Sequence, residues 1–113
     1  MGKTESVRDL FLRNQGGYSC DMYVRFKNPG DEKWTEAHTS KLTLGETHTS
    51  NPGKHGAVDG AQLGVAIDID LGKHVHNDSA DLVYMSDSNA RGDFACSGTT
   101  QDPSLGFTGV CSG

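Results

Sequence analysis

The chain has nothing long and apolar in it. Across its 113 residues, no apolar run approaches the ~20 residues of a membrane-spanning helix. The opening stretch, MGKTESVRDL, has no apolar signal-peptide core, so the expectation is either an intracellular chain or a mature form without its leader. Basic charge is also scarce. Ten Lys and Arg stand against 15 Asp and Glu, for a net charge of -5. Affinity for phosphate backbones comes mainly from Lys and Arg, and here they are scattered, so no nucleic-acid partner is expected. The three cysteines, Cys20, Cys96 and Cys111, lack the paired spacing of a zinc site. Cys20 falls at an inward-facing strand position and reads as a buried free thiol. In an oxidising compartment Cys96 and Cys111 would close a C-terminal loop, so a Cys96–Cys111 disulfide and free thiols both stay open.

What the chain does have is glycine and alternation. Fifteen glycines favour many turns between short strands. In YSCDMYVRFK, residues Cys20, Met22, Val24 and Phe26 share one face, and Asp21, Tyr23, Arg25 and Lys27 the other. In AQLGVAIDIDLG, Leu63, Val65, Ile67, Ile69 and Leu71 oppose Gly64, Ala66, Asp68 and Asp70. A period of two lines these residues up on a half-buried strand, whereas a helix would scatter them. Shorter strand candidates are 7–13, 34–38, 41–50, 81–86 and 92–98. Turn chemistry separates them at 28–31, 51–56, 86–92 and 101–106. The expected fold is all-β, a small antiparallel β-sandwich forming a single domain over 1–113.

Several side-chain groups raise chemical questions. His74 and His76 project to the same side of an extended segment, which suits a shared divalent metal; the plainer reading is polar loop residues. The string GKHVHNDSADLVYM resembles a first cupin motif, with Asp81 where that motif has Glu. No histidine follows His76, so His38, His48 or His55 would have to complete such a site. Asp68, Asp70, Asp78 and Asp81 are oxygen donors of the kind calcium takes, but at no EF-hand spacing, and alternating acids are ordinary on a solvated strand face. Arg91-Gly92-Asp93 matches a three-residue integrin-ligand motif that a turn before a strand also explains. Asn77-Asp78-Ser79 is a glycosylation sequon, relevant only to a secreted chain. No nucleophile, base and orienting group stand in a recognisable order, so a non-enzyme is expected.

Three segments, taken in order, resemble the C-terminal domain of the cholesterol-dependent (thiol-activated) cytolysins. VRDLFLRNQGGYSCDMYVRF (7–26) resembles that domain's opening, GAVDGAQLGVAIDIDLG (56–72) its next long strand, and FACSGTTQDP (94–103) its closing segment. The resemblance implies a β-sandwich whose loops at one end meet a membrane. The family's sterol-reading Thr-Leu pair falls on Thr100 and Gln101, so the threonine is kept and the leucine is not. Its tryptophan-rich inserting loop falls on GKHVHNDSAD (72–81), which holds no tryptophan and no aromatic other than histidine; the one tryptophan, Trp34, lies elsewhere. Bilayer insertion depends on burying aromatic and aliphatic surface, so pore formation is not expected.

The expectation for function is therefore a non-enzymatic recognition module without a resident cofactor. Its polar tips would meet a membrane surface, a glycan or another cell-surface ligand. The contact residues would be Thr99, Thr100, Gln101 and Asp102 in one loop and Lys73, Asn77 and Asp78 in another, with the 28–33 turn as a possible third. The resemblance favours a secreted, toxin-related chain over a cytoplasmic one. The alternatives are a metal-binding sandwich centred on His74 and His76, or a structural protein that associates through sheet edges.

Overall fold

A computed structural model describes residues 5–69 and 73–112. Nine strands fill it: β1 (Glu5–Val7), β2 (Asp9–Asn14), β3 (Cys20–Lys27), β4 (Thr35–Leu42), β5 (Thr47–Ser50), β6 (Gln62–Ile69), β7 (Lys73–Tyr84), β8 (Ala90–Gly98) and β9 (Pro103–Ser112). A short 3-10 turn at Pro52–His55 interrupts them. They form two sheets, one ordered β1-β7-β6-β3-β4 and the other β5-β2-β8-β9. The apolar alternation read from sequence supplies the layer between the sheets. Met22, Val24 and Phe26 of β3 and Leu63, Val65, Ile67 and Ile69 of β6 are buried against Leu10, Leu12 and Phe94 of the second sheet. Leu71 and Asp70 lie outside the described residues.

The class is as expected, but the sheets are mixed rather than purely antiparallel. β1 pairs with β7 in parallel, and β2 pairs with β8 in parallel. The cause is one break at Arg8. The N-terminal stretch splits there, giving β1 to one sheet and β2 to the other, as strands do at the corners of a sandwich. Three assignments change with the structure. The 41–50 candidate is the end of β4, a turn and β5; the 101–106 turn is shorter, because β9 begins at Pro103; and residues 73–80 join 81–84 in one long strand. That strand and β9 both carry few large aliphatics and many polar residues, which weakens the alternation signal.

β7 is long because it bulges. Leu63 faces Leu82, yet Val65 faces Asn77, so two steps along β6 match five along β7. The surplus, 78–81, leaves the ladder, and Asp81 takes a left-handed φ of 55°, a region that Asp tolerates better than most residues. Gly64 makes this possible: a Cβ there would stand 2.2 Å from the Asp78 carboxylate and 2.8 Å from the Asn77 carbonyl. The bulge thus lays Asp78 across β6, where it reaches Arg25 on β3 in a two-point pair of 2.7 and 2.9 Å.

The RGD tripeptide is not a turn. Arg91, Gly92 and Asp93 lie inside β8, and Arg91 Nε donates to Asp93 at 2.6 Å. Gly92 answers to packing, since a Cβ there would stand 2.6 Å from Leu82 Cδ1. Of the two states left open for Cys96 and Cys111, the bridge fails on register. Cys96 faces Leu105 and Cys111 faces Arg91. Those positions are five steps apart along the hairpin, about 17 Å, and a disulfide needs Cα atoms within roughly 7 Å. All three cysteines are free, with Cys20 and Cys96 buried and Cys111 exposed.

Gly64→Ala tests the bulge. The added methyl meets backbone on one side, so stability should fall by about 1–3 kcal/mol, measured by urea unfolding. An unchanged midpoint would show that the bulge does not depend on the missing side chain.

Candidate functional site

One end of the sandwich is organised around a single amide. β2 ends at Asn14, whose side chain is fully buried although it is polar. Its Nδ2 donates to the carbonyls of Tyr18 (2.7 Å) and Leu42 (3.2 Å). Its Oδ1 accepts from the Gly16 amide (2.9 Å) and the Cys96 thiol (3.5 Å). Backbone bonds from the same point run to Glu46, Gly45 and Cys96, and Gly17 donates to the Gly98 carbonyl at 3.1 Å. Tyr18 completes the tie, its hydroxyl donating to the Ser97 carbonyl at 2.7 Å. Its ring covers Gly16, where a Cβ would fall 2.4 Å from ring carbons. Residues 15–19, 43–46 and 99–102 are thereby gathered at one pole.

The 99–102 turn is tight and polar. The Asp102 amide donates to both the carbonyl and the hydroxyl of Thr99, each at 3.2 Å. Gly98 supports it with φ +92°, where a Cβ would meet the Asp102 carbonyl at 2.3 Å. The Thr99 hydroxyl is therefore used inside the turn. Among the described residues the side chains of half-buried Thr100 and exposed Gln101 make no hydrogen bond, which leaves a hydroxyl and an amide without a protein partner. The large exposed hydrophobic side chain on this pole, among the described residues, is Leu44, 66% exposed.

Lys73 begins β7 opposite Ile69 and is exposed at the same end. Asn77 Nδ2 donates to the Leu105 carbonyl at 3.0 Å, so the segments leading back to Lys73 and to Pro103 run to the pole together.

No protein-family model matches the chain, and no curated protein matches it. Solved structures do. A crystal structure of wild-type pneumolysin matches with a TM-score of 0.52 at 19% identity, over 89% of this chain and 23% of that one. Suilysin from Streptococcus suis matches at 0.51 and 15% identity, over 90% and 23%. The membrane-binding domain of pneumolysin matches at 0.47 and 17% identity, over 90% of this chain and 96% of that one. The chain is similar in fold to the cytolysins. It spans about a quarter of the length of the whole cytolysins it matches, 23% in both of these cases.

The cytolysin-based expectation for 72–81 needs correction. Residues 73–81 belong to a strand rather than a free loop, and Gly72 lies outside the described residues. Lys73 stays with the pole. Asn77 ties β7 to β9, and Asp78 is spent on Arg25, so these two do not join Thr99, Thr100, Gln101 and Asp102. The 28–33 turn is at the opposite pole, where Asn28 bonds the Gly56 carbonyl and the Val58 amide. Asn14 and the 43–46 turn are the parts of the pole that sequence reading missed. The available signal was Asn14-Gln15-Gly16-Gly17, an Asn two residues before a glycine, which is an Asx-type turn signature.

The outer face of the five-stranded sheet carries a second polar group. Arg25 joins Asp78 to Glu36, at 2.5 Å from the latter, and stacks 5.1 Å from the Trp34 ring. His74 bridges Asp68 at 2.5 Å and Glu36 at 3.0 Å. His76 lies 3.2 Å from Asp78. The His74 and His76 rings are 6.4 Å apart, and among the described residues no group of three or more His, Cys, Asp or Glu stands together as a metal would require. Both imidazoles have carboxylate partners instead.

The hydrogen bond that His74 donates to Asp68 raises the His74 pKa above its ordinary 6.5, burial works against it, and Glu36 adds to the rise. A raised folded pKa gives stability that is complete below the unfolded value and disappears as pH climbs through the folded one. His74→Gln should therefore cost most near pH 5.5, about 0.5 kcal/mol for a half-exposed pair. The deficit should close near pH 8.5, read from urea midpoints; a constant deficit would mean the histidine contributes without its charge. Asn14→Ala should cost far more at every pH, about 2–4 kcal/mol, since it strands buried carbonyls of two turns. A loss below about 1 kcal/mol would show that water replaces the amide.

Proposed function

We propose that this domain is a non-enzymatic recognition module that meets a glycan, a lipid headgroup or another cell-surface ligand with its Asn14-centred pole. The supporting observation is the pole itself. Three turns are fixed side by side by buried hydrogen bonds, and the outermost, 99–102, presents unbonded polar side chains on a rigid base. Preorganised donors and acceptors recognise sugars and headgroups by direction, without a large apolar patch. Thr100, Gln101, Asp102 and Lys73 make up the contact set, and Thr99 holds the turn. The likeness in fold to pneumolysin and suilysin agrees with this reading, and a secreted, toxin-related chain is part of the proposal. Binding here proceeds without insertion or pore formation, because the pole offers Leu44 as its one large exposed hydrophobe among the described residues.

Liposome flotation with and without sterol, together with a glycan array, tests the proposal. Thr100→Ala should weaken binding several-fold with no change in melting temperature. Unchanged binding, or no binding to either kind of surface, would overturn it. Trp34 gives an internal control. It precedes β4 at the end of the sheet away from the pole. Its emission should hold its wavelength when vesicles bind, and a blue shift would place the contact on another face.

A further inference from the structure

Beneath the pole, two thiols meet across the sandwich. Cys20 opens β3 in the five-stranded sheet, and Cys96 lies near the end of β8 in the four-stranded one. Their sulfurs are 3.9 Å apart. Their solvent exposures are 1% and 0%. Cys96 also touches Asn14 Oδ1 at 3.5 Å, and Gln15 donates to the Cys96 carbonyl at 2.8 Å. The pair therefore sits directly under the loops that Asn14 gathers. Cys111 is exposed on β9 opposite Arg91 and cannot reach either thiol.

We infer that Cys20 and Cys96 are a dithiol modification site, which an oxidised low-molecular-weight thiol such as glutathione disulfide converts to an inter-sheet disulfide clamping the two sheets at the pole. Closing the bond takes the sulfurs from contact to bonding distance, about 1.9 Å of approach, within reach of side-chain rotation and small strand shifts. The reaction balances with that oxidant alone. The Cys96 thiolate attacks one sulfur of glutathione disulfide and expels one glutathione thiolate. Cys20 then attacks the Cys96 sulfur and expels the second. Two protein thiols are oxidised, one glutathione disulfide is reduced to two thiols, and the two cysteine protons go to the glutathione leaving groups.

The surroundings assign the order of attack. The hydrogen bond from Cys20 lowers the Cys96 pKa, burial opposes it, and Tyr18 and the Gln15 amide lower it further. The same bond to Cys96 raises the Cys20 pKa, so Cys96 deprotonates first. Tyr18, bonded to the Ser97 carbonyl, covers the pair, and its displacement is the entry route for the oxidant. The inference is independent of what the pole binds.

The test uses the wild-type chain equilibrated without denaturant in glutathione redox buffers, then acid-quenched, alkylated and peptide-mapped by mass spectrometry. The expected product is a Cys20–Cys96 cross-linked peptide pair that appears as the buffer becomes oxidising and disappears with dithiothreitol. The oxidised protein should melt on the order of 10 °C higher, since the bond closes a long loop. Cys111→Ser should behave identically. Free alkylated Cys20 and Cys96 at every redox ratio, a cross-link involving Cys111, or an oxidised form that melts no higher would each overturn the inference.

Discussion

The buried carboxamide of Asn14 is the constraint on which one whole end of this protein depends. A polar group in a sandwich interior costs stability unless its bonds are made. Asn14 makes four, to two carbonyls, an amide and a thiol. Those partners belong to the 15–19 loop, to β4 and to β8. No apolar residue could do this, because apolar packing is non-directional and would leave each turn free to choose its own path. The requirement for satisfied bonds instead prescribes where each turn begins. Gly16 and Tyr18 follow from it, the one small enough for the other to fold over.

A different rule governs the outer face of the five-stranded sheet. There the organising element is an absence, the missing side chain at Gly64. It lets the β7 bulge cross β6, so that Asp78 and Glu36 grip one guanidinium from two directions. Such a network is directional and mostly shielded from water, so its Coulomb gain is offset by desolvation and it orders the face more than it stabilises it. The face has spent its donors and acceptors on itself, whereas the pole has spent its own beneath the surface and left those at the tip unpaired. That contrast is what makes the pole the better place for a ligand.

The sequence was legible where burial is periodic. β3 and β6 announced themselves because each faces a core on one side and solvent on the other. β7 and β9 did not, since both break register and lie toward sheet edges with few large aliphatics. Beyond its local turn signature, the role of Asn14 was hidden for a related reason: its four partners lie between 2 and 82 residues away, and long-range partners leave no local period. The threonines at 99 and 100 were visible as a turn. Their division of labour, one hydroxyl inside the turn and one outside, required the backbone. RGD is the opposite lesson. A motif read from three letters dissolved once Gly92 proved to be a packing position under Leu82.

The chemistry of the pole also limits how it can hold a surface. Burying one leucine contributes about 1.5–3 kcal/mol, and each net hydrogen bond about 0.5–1.5 kcal/mol. Leu44 together with Thr100, Gln101 and Lys73 therefore supports an affinity no tighter than a few millimolar, on the order of 3 kcal/mol at best, once the entropy of association is subtracted. A single acyl chain, with far more apolar area, anchors a protein only reversibly. Under the proposed function, such a domain would gain hold through repetition, because tethering converts each later contact into an intramolecular one and multiplies weak affinities without any new contact. A rigid pole suits that role. When several copies or linked domains engage one surface, the entropy of arranging each tip has already been met in folding, by bonds that Asn14 makes out of reach of water.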